Sequence, residues 1–244
     1  MTRLLLLGGT SEARTLAAQL HPNLRVISSL AGRVPDPALP VGEVRIGGFG
    51  GIDGLQRWLT EAQVDAVVDA THPYAATITA NAARACAALG IPHLLLARPA
   101  WEPGDAIVVS SDTEAAKGVQ DRGFQRIFLT TGRSSVAVFK DLDAWFLIRT
   151  VTAPDPQTLP RRHELVLSRG PYRYDGEYAL LAEHGIDCLV TKNSGGEMTR
   201  AKLDAAAALG VSVIMVDRPK PPDGVTTVST VDGAVAWVRS LGSP

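Results

Sequence analysis

Near its start the chain carries the segment Arg3-Leu4-Leu5-Leu6-Leu7-Gly8-Gly9-Thr10-Ser11-Glu12-Ala13, a short apolar run that ends in two glycines. The apolar run predicts a buried β-strand, and the glycines predict a tight turn. After the turn, Ala13, Leu16 and Leu20 recur at helical spacing and predict an amphipathic helix that begins at Ser11. Strand, turn and helix in this order form the first unit of an α/β fold.

The same alternation continues along the whole chain. The predicted strands are continuously apolar, which is typical of a parallel sheet covered by helices on both faces. Their predicted bounds are Arg3–Leu7, Leu24–Ser28, Glu43–Ile46, Val64–Ala70, His93–Ala97, Arg126–Leu129, Trp145–Arg149, Leu165–Ser168, Asp187–Thr191 and Val213–Val216, with helices at Asp53–Ala62 and Ala75–Leu89.

Internal repeats relate the two halves of the chain. Asp53-Gly54 and Asp175-Gly176 are 122 residues apart, which is half of the 244 residues. The sequence Ala-Ala-Leu-Gly at 87–90 recurs at 207–210. Chance matches between alanine-rich helices and glycine turns are the alternative, but the similar offsets of 122 and 120 residues favour a duplication. The sequence therefore predicts an α/β fold of two Rossmann-like lobes with parallel sheets.

The boundary between these lobes is expected near residue 100. We assign residues 1–100 to the first lobe and residues 101–244 to the second. Ligands of open α/β sheets bind outside the carboxyl ends of the strands, so the informative residues should follow strands and line a cleft shared by the lobes.

Composition excludes several classes of protein. With 45% hydrophobic and 20% charged residues the chain is an ordinary globular protein, and a net charge of −1 argues against a nucleic-acid-binding surface. Its apolar runs are too short to cross a membrane, and we find no signal peptide. Cys86 and Cys188 share no metal-ligand or redox spacing, so we expect reduced thiols and no metal site. A cytoplasmic monomer or small homo-oligomer is expected.

The first turn partly fits a dinucleotide-binding fingerprint, with Gly8, Thr10 and Ala13 at its three small-residue positions. Free N–H groups and the positive end of the following helix would hold a pyrophosphate there. A plain capped turn is the alternative. If the turn binds a nucleotide, the contacts come from Gly9, Thr10, Ser11 and Glu12.

The second predicted strand ends in Ser28-Ser29, where an NAD-specific site would carry an acid for the ribose 2′-hydroxyl. Two hydroxyls, with Arg33 a few residues later, would bind a 2′-phosphate that a carboxylate would repel. A polar strand end followed by a solvated arginine explains the same residues. If the site is real, it favours NADP over NAD.

The fourth predicted strand leads into Asp69-Ala70-Thr71-His72-Pro73-Tyr74-Ala75, at the edge where the nicotinamide would lie. Thr71 and His72 are candidate cofactor contacts. His72 is also a candidate proton donor, since its ordinary pKa lies near neutrality. A histidine that braces the next helix is the alternative.

Basic residues follow several strands of the second lobe. Any one of them alone would be an exposed charge, but together they predict a site for a multiply anionic ligand. These candidate substrate-binding residues are Arg133, Arg169, Arg173, Lys192 and Arg218, and we add Gly47, Gly48, Asn193 and Ser194, which also follow strands, as candidate cofactor contacts.

Four segments together resemble the precorrin-6A reductase family of cobalamin biosynthesis. They are the opening strand and turn at 4–14, Asp-Ala-Thr-His-Pro-Tyr-Ala at 69–75, Ser-Arg-Gly-Pro at 168–171 and Thr-Lys-Asn-Ser-Gly-Gly at 191–196. The His-Pro-Tyr-Ala and Lys-Asn-Ser-Gly-Gly segments are specific in this order, whereas the glycine turn alone is weak. The resemblance covers essentially the whole chain.

The resemblance implies reduction by NADPH of one C=C bond of an anionic, tetrapyrrole-derived macrocycle. It also implies that cofactor and macrocycle share the cleft, with the nicotinamide between Thr71-His72 and the 192–196 loop. The required proton would come from His72, Tyr74, water or the substrate itself. Another NADP-dependent reductase and a non-catalytic NADPH-binding sensor are the alternative functions.

Overall fold

The computed structural model describes residues 2–32 and 38–241. The strands in these residues are β1 (Arg3–Leu7), β2 (Arg25–Leu30), β3 (Glu43–Ile46), β4 (Ala66–Asp69), β5 (His93–Leu96), β6 (Ile107–Val109), β7 (Arg126–Leu129), β8 (Trp145–Thr150), β9 (Arg162–Leu167), β10 (Cys188–Lys192), β11 (Ser212–Val216) and β12 (Thr226–Val228). The α-helices are α1 (Ser11–Leu20), α2 (Gly51–Glu61), α3 (Ala76–Leu89), α4 (Asp112–Asp121), α5 (Tyr174–Glu183), α6 (Ala201–Leu209) and α7 (Val231–Ser240), and 3-10 helices lie at Arg133–Phe139, Pro156–Thr158 and Glu197–Thr199.

The strands form two six-stranded sheets whose paired strands are all parallel. One sheet has the order β12-β5-β4-β1-β2-β3, and the other has the order β6-β11-β10-β7-β8-β9. Position by position the two orders correspond, as two copies of one ancestral unit would. The prediction of two α/β lobes with parallel sheets is confirmed.

Several strands differ from their predicted bounds. β2 extends to Leu30, which places Ser28 and Ser29 inside the strand instead of at its end. β9 begins at Arg162, three residues early, because its amino half is the exposed Arg-His-Glu and lacks an apolar pattern. β6 and β12 were not predicted, since three residues are too few for hydrophobic periodicity to register.

The two compact units do not have the predicted sequence bounds. Unit 1 comprises Met1–Pro99 and Pro219–Pro244, and unit 2 comprises Ala100–Arg218. Residues 219–244, which we assigned to the second lobe, group with the first because β12 pairs with β5 and α7 packs against α1. In the same way β6, which lies in the first half of the sequence, pairs with β11 of unit 2. Each half of the chain thus contributes its last strand to the sheet of the other half.

Apolar helix faces cover both sides of the unit 1 sheet. On one side α1 and α7 place Leu16 and Val238 against Leu4 and Leu6 of β1. On the other side α2 and α3 pack against the alternate residues of the same strand. Because β1 is buried on both faces, all of its leucines lie in the core, as its continuous apolar run predicts.

Both cysteines lie in these cores. Cys86 and Cys188 are buried free thiols, one in each unit. Burial, together with the nearby Asp69 and Asp187 carboxylates, raises the pKa of Cys86 and Cys188 to about 12. Neither thiol is therefore an activated nucleophile.

The repeated Ala-Ala-Leu-Gly segments have the same structure in the two units. Each segment closes a helix, α3 at Gly90 and α6 at Gly210. Both glycines adopt the left-handed conformation, with φ values of 65° and 66°, which a residue with a side chain rarely adopts. The repeat thus encodes a helix end.

The repeated Asp-Gly pair allows a test of packing in which Gly176 serves as the control for Gly54. At Gly54 in α2 a Cβ would lie 1.8 Å from the Phe49 carbonyl oxygen, whereas at Gly176 in α5 nothing lies within 4 Å. We expect Gly54→Ala to destabilise the protein by about 3 kcal/mol or more, and Gly176→Ala to stabilise it by about 0.5–1 kcal/mol through helix propensity. Urea unfolding followed by circular dichroism measures both. Equal effects of the two substitutions would contradict this packing.

Candidate active site

The first turn, residues 8–10, leads from β1 into α1. The hydroxyl of Thr10 accepts a hydrogen bond from the Ala13 N–H at 3.1 Å and donates one to the Ala70 carbonyl at 2.7 Å. The predicted hydroxyl donor of Thr10 is therefore already used, as the cap of α1 and as a link to the end of β4. Among the described residues, the N–H groups of Gly9 and Thr10 meet no acceptor, so the turn offers backbone donors to a ligand.

Glu12 in the first turn of α1 forms an ion pair with Arg98. The Arg98 Nη1 lies 3.1 and 3.0 Å from the two carboxylate oxygens, and the Ser11 hydroxyl donates to Oε2 at 3.0 Å. Burial acts to raise the pKa of Glu12, but its backbone hydrogen bond and Arg98 outweigh burial and lower it. The carboxylate stays ionised and paired. Both residues line a cleft in unit 1 with Thr10, Ala70, Thr71, Pro73 and Leu96.

The two serines of β2 lie on opposite faces of the sheet. Ser29 is registered with Arg45 of β3, and its Oγ accepts a hydrogen bond from Arg45 Nη1 at 3.2 Å. Ser28 is 1% exposed, and its Oγ has no hydrogen-bond partner among the described residues. Ser29 is also buried, at 6% exposed, so burial alone does not separate the two serines, and the role of Ser28 stays a prediction. Arg33 lies outside the described residues.

Sequence reasoning missed Arg45, because its role depends on the register between β2 and β3. Its guanidinium donates to the carbonyl oxygens of Gly47 at 2.5 Å and Gly48 at 2.7 Å, and it lies 3.7 Å from the centre of the Phe49 ring. Partial burial lowers the pKa of Arg45, although an arginine remains protonated. Arg45 thus brings a positive charge to the end of β2 and holds the predicted Gly47-Gly48 contact in place.

The loop after β4 is held by a buried carboxylate. Asp69 Oδ1 accepts hydrogen bonds from the Thr71 N–H at 2.9 Å and the Thr71 hydroxyl at 2.7 Å. His72 follows as an exposed side chain whose Nδ1 accepts a hydrogen bond from the Tyr74 N–H at 3.4 Å. In the neutral ring this acceptor leaves the proton on Nε2. Of the two predicted contacts, Thr71 is therefore bonded to Asp69, and His72 is an exposed side chain bonded to the backbone of Tyr74.

The loop after β10 is built around Trp101, a second residue that sequence reasoning missed. Asn193 is buried, its Oδ1 accepts from the Trp101 N–H at 2.8 Å, and its Nδ2 donates to the Trp101 carbonyl at 3.0 Å. The indole N–H donates to the Gly196 carbonyl at 2.9 Å. Asn193 therefore shapes the loop and does not present its amide to a cofactor, while Ser194 next to it is half-buried.

Lys192, at the end of β10, is paired within unit 2. Its Nζ donates to the Ser135 hydroxyl at 2.8 Å and lies 3.4 Å from Asp112 Oδ2, to which Ser135 also donates at 2.7 Å. The carboxylate compensates the ammonium charge. Lys192 is thus a weaker candidate for a substrate carboxylate than its sequence position indicates.

The other predicted basic residues follow strands of the unit 2 sheet. Arg133 is exposed after β7, and Arg218, after β11, donates from Nε to the Asn193 carbonyl at 2.7 Å. Arg169 and Arg173 are exposed in the loop between β9 and α5. Because the strands are parallel, their carboxyl ends share one edge of this sheet.

Beneath the 168–173 loop lies a buried charged network. Arg149 binds Glu177 through two hydrogen bonds of 2.5 and 2.7 Å, and its guanidinium lies 3.7 Å from the centre of the Tyr172 ring. Tyr172 in turn donates its hydroxyl to the Ser168 carbonyl at 3.1 Å. The ion pair therefore supports the loop that carries Arg169 and Arg173. It also explains why Arg149, a cation at a predicted strand end, is not free at the edge.

The model of the family described as precorrin-6x reductase CbiJ/CobK matches residues 3–239. The chain belongs to this family. It is 65% identical over 243 residues to the precorrin-6A reductase of Mycobacterium tuberculosis, with all of both chains covered. It is 55% identical to that of Rhodococcus erythropolis, with 99% of each chain covered. The solved structure of CobK precorrin-6A reductase is 37% identical and superposes with a TM-score of 0.91, covering 100% of this chain and 98% of that one.

These comparisons confirm the family expected from the four sequence segments. As a member of the precorrin-6x reductase family, the chain is an oxidoreductase of cobalamin biosynthesis that needs a reduced nicotinamide cofactor. Its substrate is a precorrin macrocycle derived from a tetrapyrrole. Among the described residues, no group of three His, Cys, Asp or Glu side chains is placed to hold a metal ion. No described helix has the length and apolar character needed to cross a membrane.

The buried amine of Lys202 gives a prediction for pH dependence. Burial, assisted by the Arg149 charge and opposed by Glu177, lowers the pKa of Lys202 to about 7. Between pH 7 and about 10 the unfolded chain therefore binds a proton that the folded chain does not, so stability rises with pH there. We expect Lys202→Met to stabilise the protein most at or below pH 7, with a gain that shrinks by up to about 1 kcal/mol per pH unit above it.

Urea unfolding at pH 7, 8 and 9 measures this effect. The matched control is Lys140→Met, which removes an exposed amine of the same unit and should change stability little at any of these pH values. A constant difference between wild type and Lys202→Met across this range would contradict the depressed pKa.

Proposed function

We propose that this protein reduces one C=C bond of cobalt-free precorrin-6A with NADPH to give precorrin-6B. The observation that carries this proposal is 65% identity over the whole chain to a protein named for precorrin-6A. The relative at 55% identity is also named for the cobalt-free macrocycle.

The first turn fits the pyrophosphate of a dinucleotide. Backbone N–H groups of Gly9 and Thr10 are available, and α1 begins immediately after them, so its positive end faces the same point. A Cβ at Gly9 would meet nothing within 4 Å, so a ligand has room to approach the backbone. Arg98 neutralises Glu12, which would otherwise repel the phosphates.

The corresponding turn of unit 2 is built differently. After β7 the chain enters the 3-10 helix Arg133–Phe139 instead of an α-helix, and Lys192, Asp112 and Ser135 interact beside the turn. A 3-10 helix of this length has a weaker dipole than α1, and the internal ion pair already uses the local positive charge. These differences support dinucleotide binding by unit 1 alone.

When bound, NADPH supplies the hydride, and the protein must align donor and acceptor carbons. Asp69 holds the Thr71-His72 segment through two hydrogen bonds, so this part of the site is ordered before any ligand binds. We assign His72 as the proton donor, because it is exposed directly after β4 and the ordinary pKa of a histidine lies near neutrality.

The carboxyl edge of the unit 2 sheet supports binding of an anionic macrocycle. Arg133, Arg169, Arg173 and Arg218 follow three separate strands at this edge, and the acetate and propionate arms of a precorrin would pair with them. Lys192 contributes less, because Asp112 already compensates its charge. Among these residues, Arg169 and Arg173 are held by the loop that Tyr172 and Arg149 support.

The reaction itself is tested by anaerobic oxidation of NADPH with precorrin-6A, with cobalt-precorrin-6A and without substrate. We expect rapid loss of NADPH absorbance with the cobalt-free macrocycle and formation of its dihydro product. Tight NADPH binding without oxidation would indicate a sensor instead. Faster turnover of the cobalt form would overturn the assigned substrate.

The substrate edge is tested by Arg169→Ala and Arg173→Ala, singly and combined. Each exposed cation is worth up to about 1 kcal/mol to a carboxylate, so the double variant should raise KM for the macrocycle about fivefold or more. NADPH affinity should stay unchanged. Arg162→Ala is the matched control, since Arg162 is an exposed cation at the amino end of the same strand β9. An unchanged KM in the double variant would place substrate binding elsewhere.

A further inference from the structure

β2 and β3 bring a cation and a hydroxyl together at the carboxyl end of β2. In Rossmann-like folds the adenosine ribose of a dinucleotide lies at the end of the second strand. Here that end carries Ser29, and the register pairs Ser29 with Arg45 on the same face. The Arg45 Nη1 lies 3.2 Å from the serine Oγ.

The Arg45 guanidinium is oriented by neutral groups only. Its three hydrogen bonds go to the Ser29 hydroxyl and to the carbonyl oxygens of Gly47 and Gly48. Within residues 2–32 and 38–241, no carboxylate lies within 4 Å of it. Since a guanidinium has five N–H donors, two of them stay available together with the full positive charge.

The arginine at the other end of β2 does have a carboxylate partner, so the situation of Arg45 is not general to these two strands. At the amino ends of β2 and β3, Arg25 forms an ordinary surface ion pair with Glu43 at 3.3 Å. At the carboxyl end the position beside Arg45 is occupied by Ser29, not by an acid. The hydroxyl of Ser29 accepts a hydrogen bond from the guanidinium but carries no charge. The positive charge of Arg45 can therefore bind an anion.

The backbone beside Arg45 is open to a ligand. Within residues 2–32 and 38–241, Cβ atoms built at Gly47 and Gly48 would meet nothing within 4 Å. The Phe49 ring covers one face of the guanidinium, with the Arg45 Cζ 3.7 Å from the ring centre, so the side chain is held in place before a ligand arrives. A fixed cation next to open space and a hydroxyl suits a phosphate monoester.

From these observations we infer that Arg45, with Ser29, selects the cofactor by binding the 2′-phosphate of its adenosine ribose. The inference rests on the proposed function, because it needs a dinucleotide on unit 1. It adds Arg45, a residue of the neighbouring strand, to the contacts predicted at the end of β2. NADH carries only a neutral 2′-hydroxyl at this point, so Arg45 would discriminate between the two cofactors.

The test uses two probes that need neither macrocycle nor turnover, adenosine 2′,5′-bisphosphate and adenosine 5′-monophosphate. They differ only in the 2′-phosphate. Calorimetric titration of the full-length protein should show tighter binding of the bisphosphate. Arg45→Gln should weaken bisphosphate binding about 10- to 100-fold, the loss expected for one charge-assisted hydrogen bond, and leave monophosphate binding within about threefold.

Two further variants separate this role from a structural one. Arg84→Gln removes an exposed cation from α3 and should change neither affinity. Ser29→Ala should weaken the bisphosphate alone, by a smaller factor than Arg45→Gln. If Arg45→Gln weakens both probes equally, Arg45 merely shapes the glycine loop, and the inference is wrong.

Arg33→Gln distinguishes failure of the inference from failure of the proposed function. If Arg33→Gln abolishes the preference for the bisphosphate and Arg45→Gln preserves it, the assignment to Arg45 is overturned while NADPH use stands. If the wild-type protein binds the two probes equally, both the NADPH preference and the role of Arg45 are overturned.

Discussion

Parallel pairing of β1 with β2 and β4 is the constraint on which the rest of unit 1 depends. The register places Leu7 beside Ser29 on one side and beside Asp69 on the other. The turn at Gly8, the Arg45–Ser29 contact and the Asp69–Thr71 loop therefore lie side by side at one edge. Parallel strands also require a crossover after each strand, so the helices cover both faces and the edge is left to loops.

Buried polar side chains in both units hold these loops. Thr10 links the first turn to Ala70, Asp69 fixes Thr71, and Asn193 pairs with the backbone of Trp101. Each of these hydrogen bonds lies within one unit and orders its loop, so less conformational entropy remains to be lost when a ligand binds.

Duplication followed by divergence explains how two sheets of the same strand order came to differ in chemistry. The first turn of unit 1 leads to an α-helix and has open N–H groups, while its counterpart in unit 2 leads to a 3-10 helix beside the Lys192–Asp112 pair. β6 and β12 are exchanged, so that each half of the chain supplies one strand to the sheet of the other half. The repeat could therefore diverge in its loops while both cores kept their packing.

Much of the fold follows from local pattern alone. The leucine run of β1, the helical spacing of α1 and the glycines that end α3 and α6 act over a few residues, so their structure is readable without knowing the rest of the chain. Four short segments were also specific enough to identify the family. That Arg169 and Arg173 follow a strand could also be predicted locally, because the apolar pattern of the strand is enough to locate its end.

Only the tertiary structure decided which partners the predicted site residues have inside the protein. Ser28 and Ser29 are adjacent, chemically alike and both buried, yet the pleat of β2 turns Ser29 toward Arg45 and leaves the Ser28 hydroxyl without a partner among the described residues. Lys192 looked like a free cation until Asp112, 80 residues earlier, was found beside it. Residues 219–244 join unit 1 because β12 has its hydrogen-bonding partner there. Register, burial and charge pairing all arise between segments distant in sequence, so no local pattern contains them.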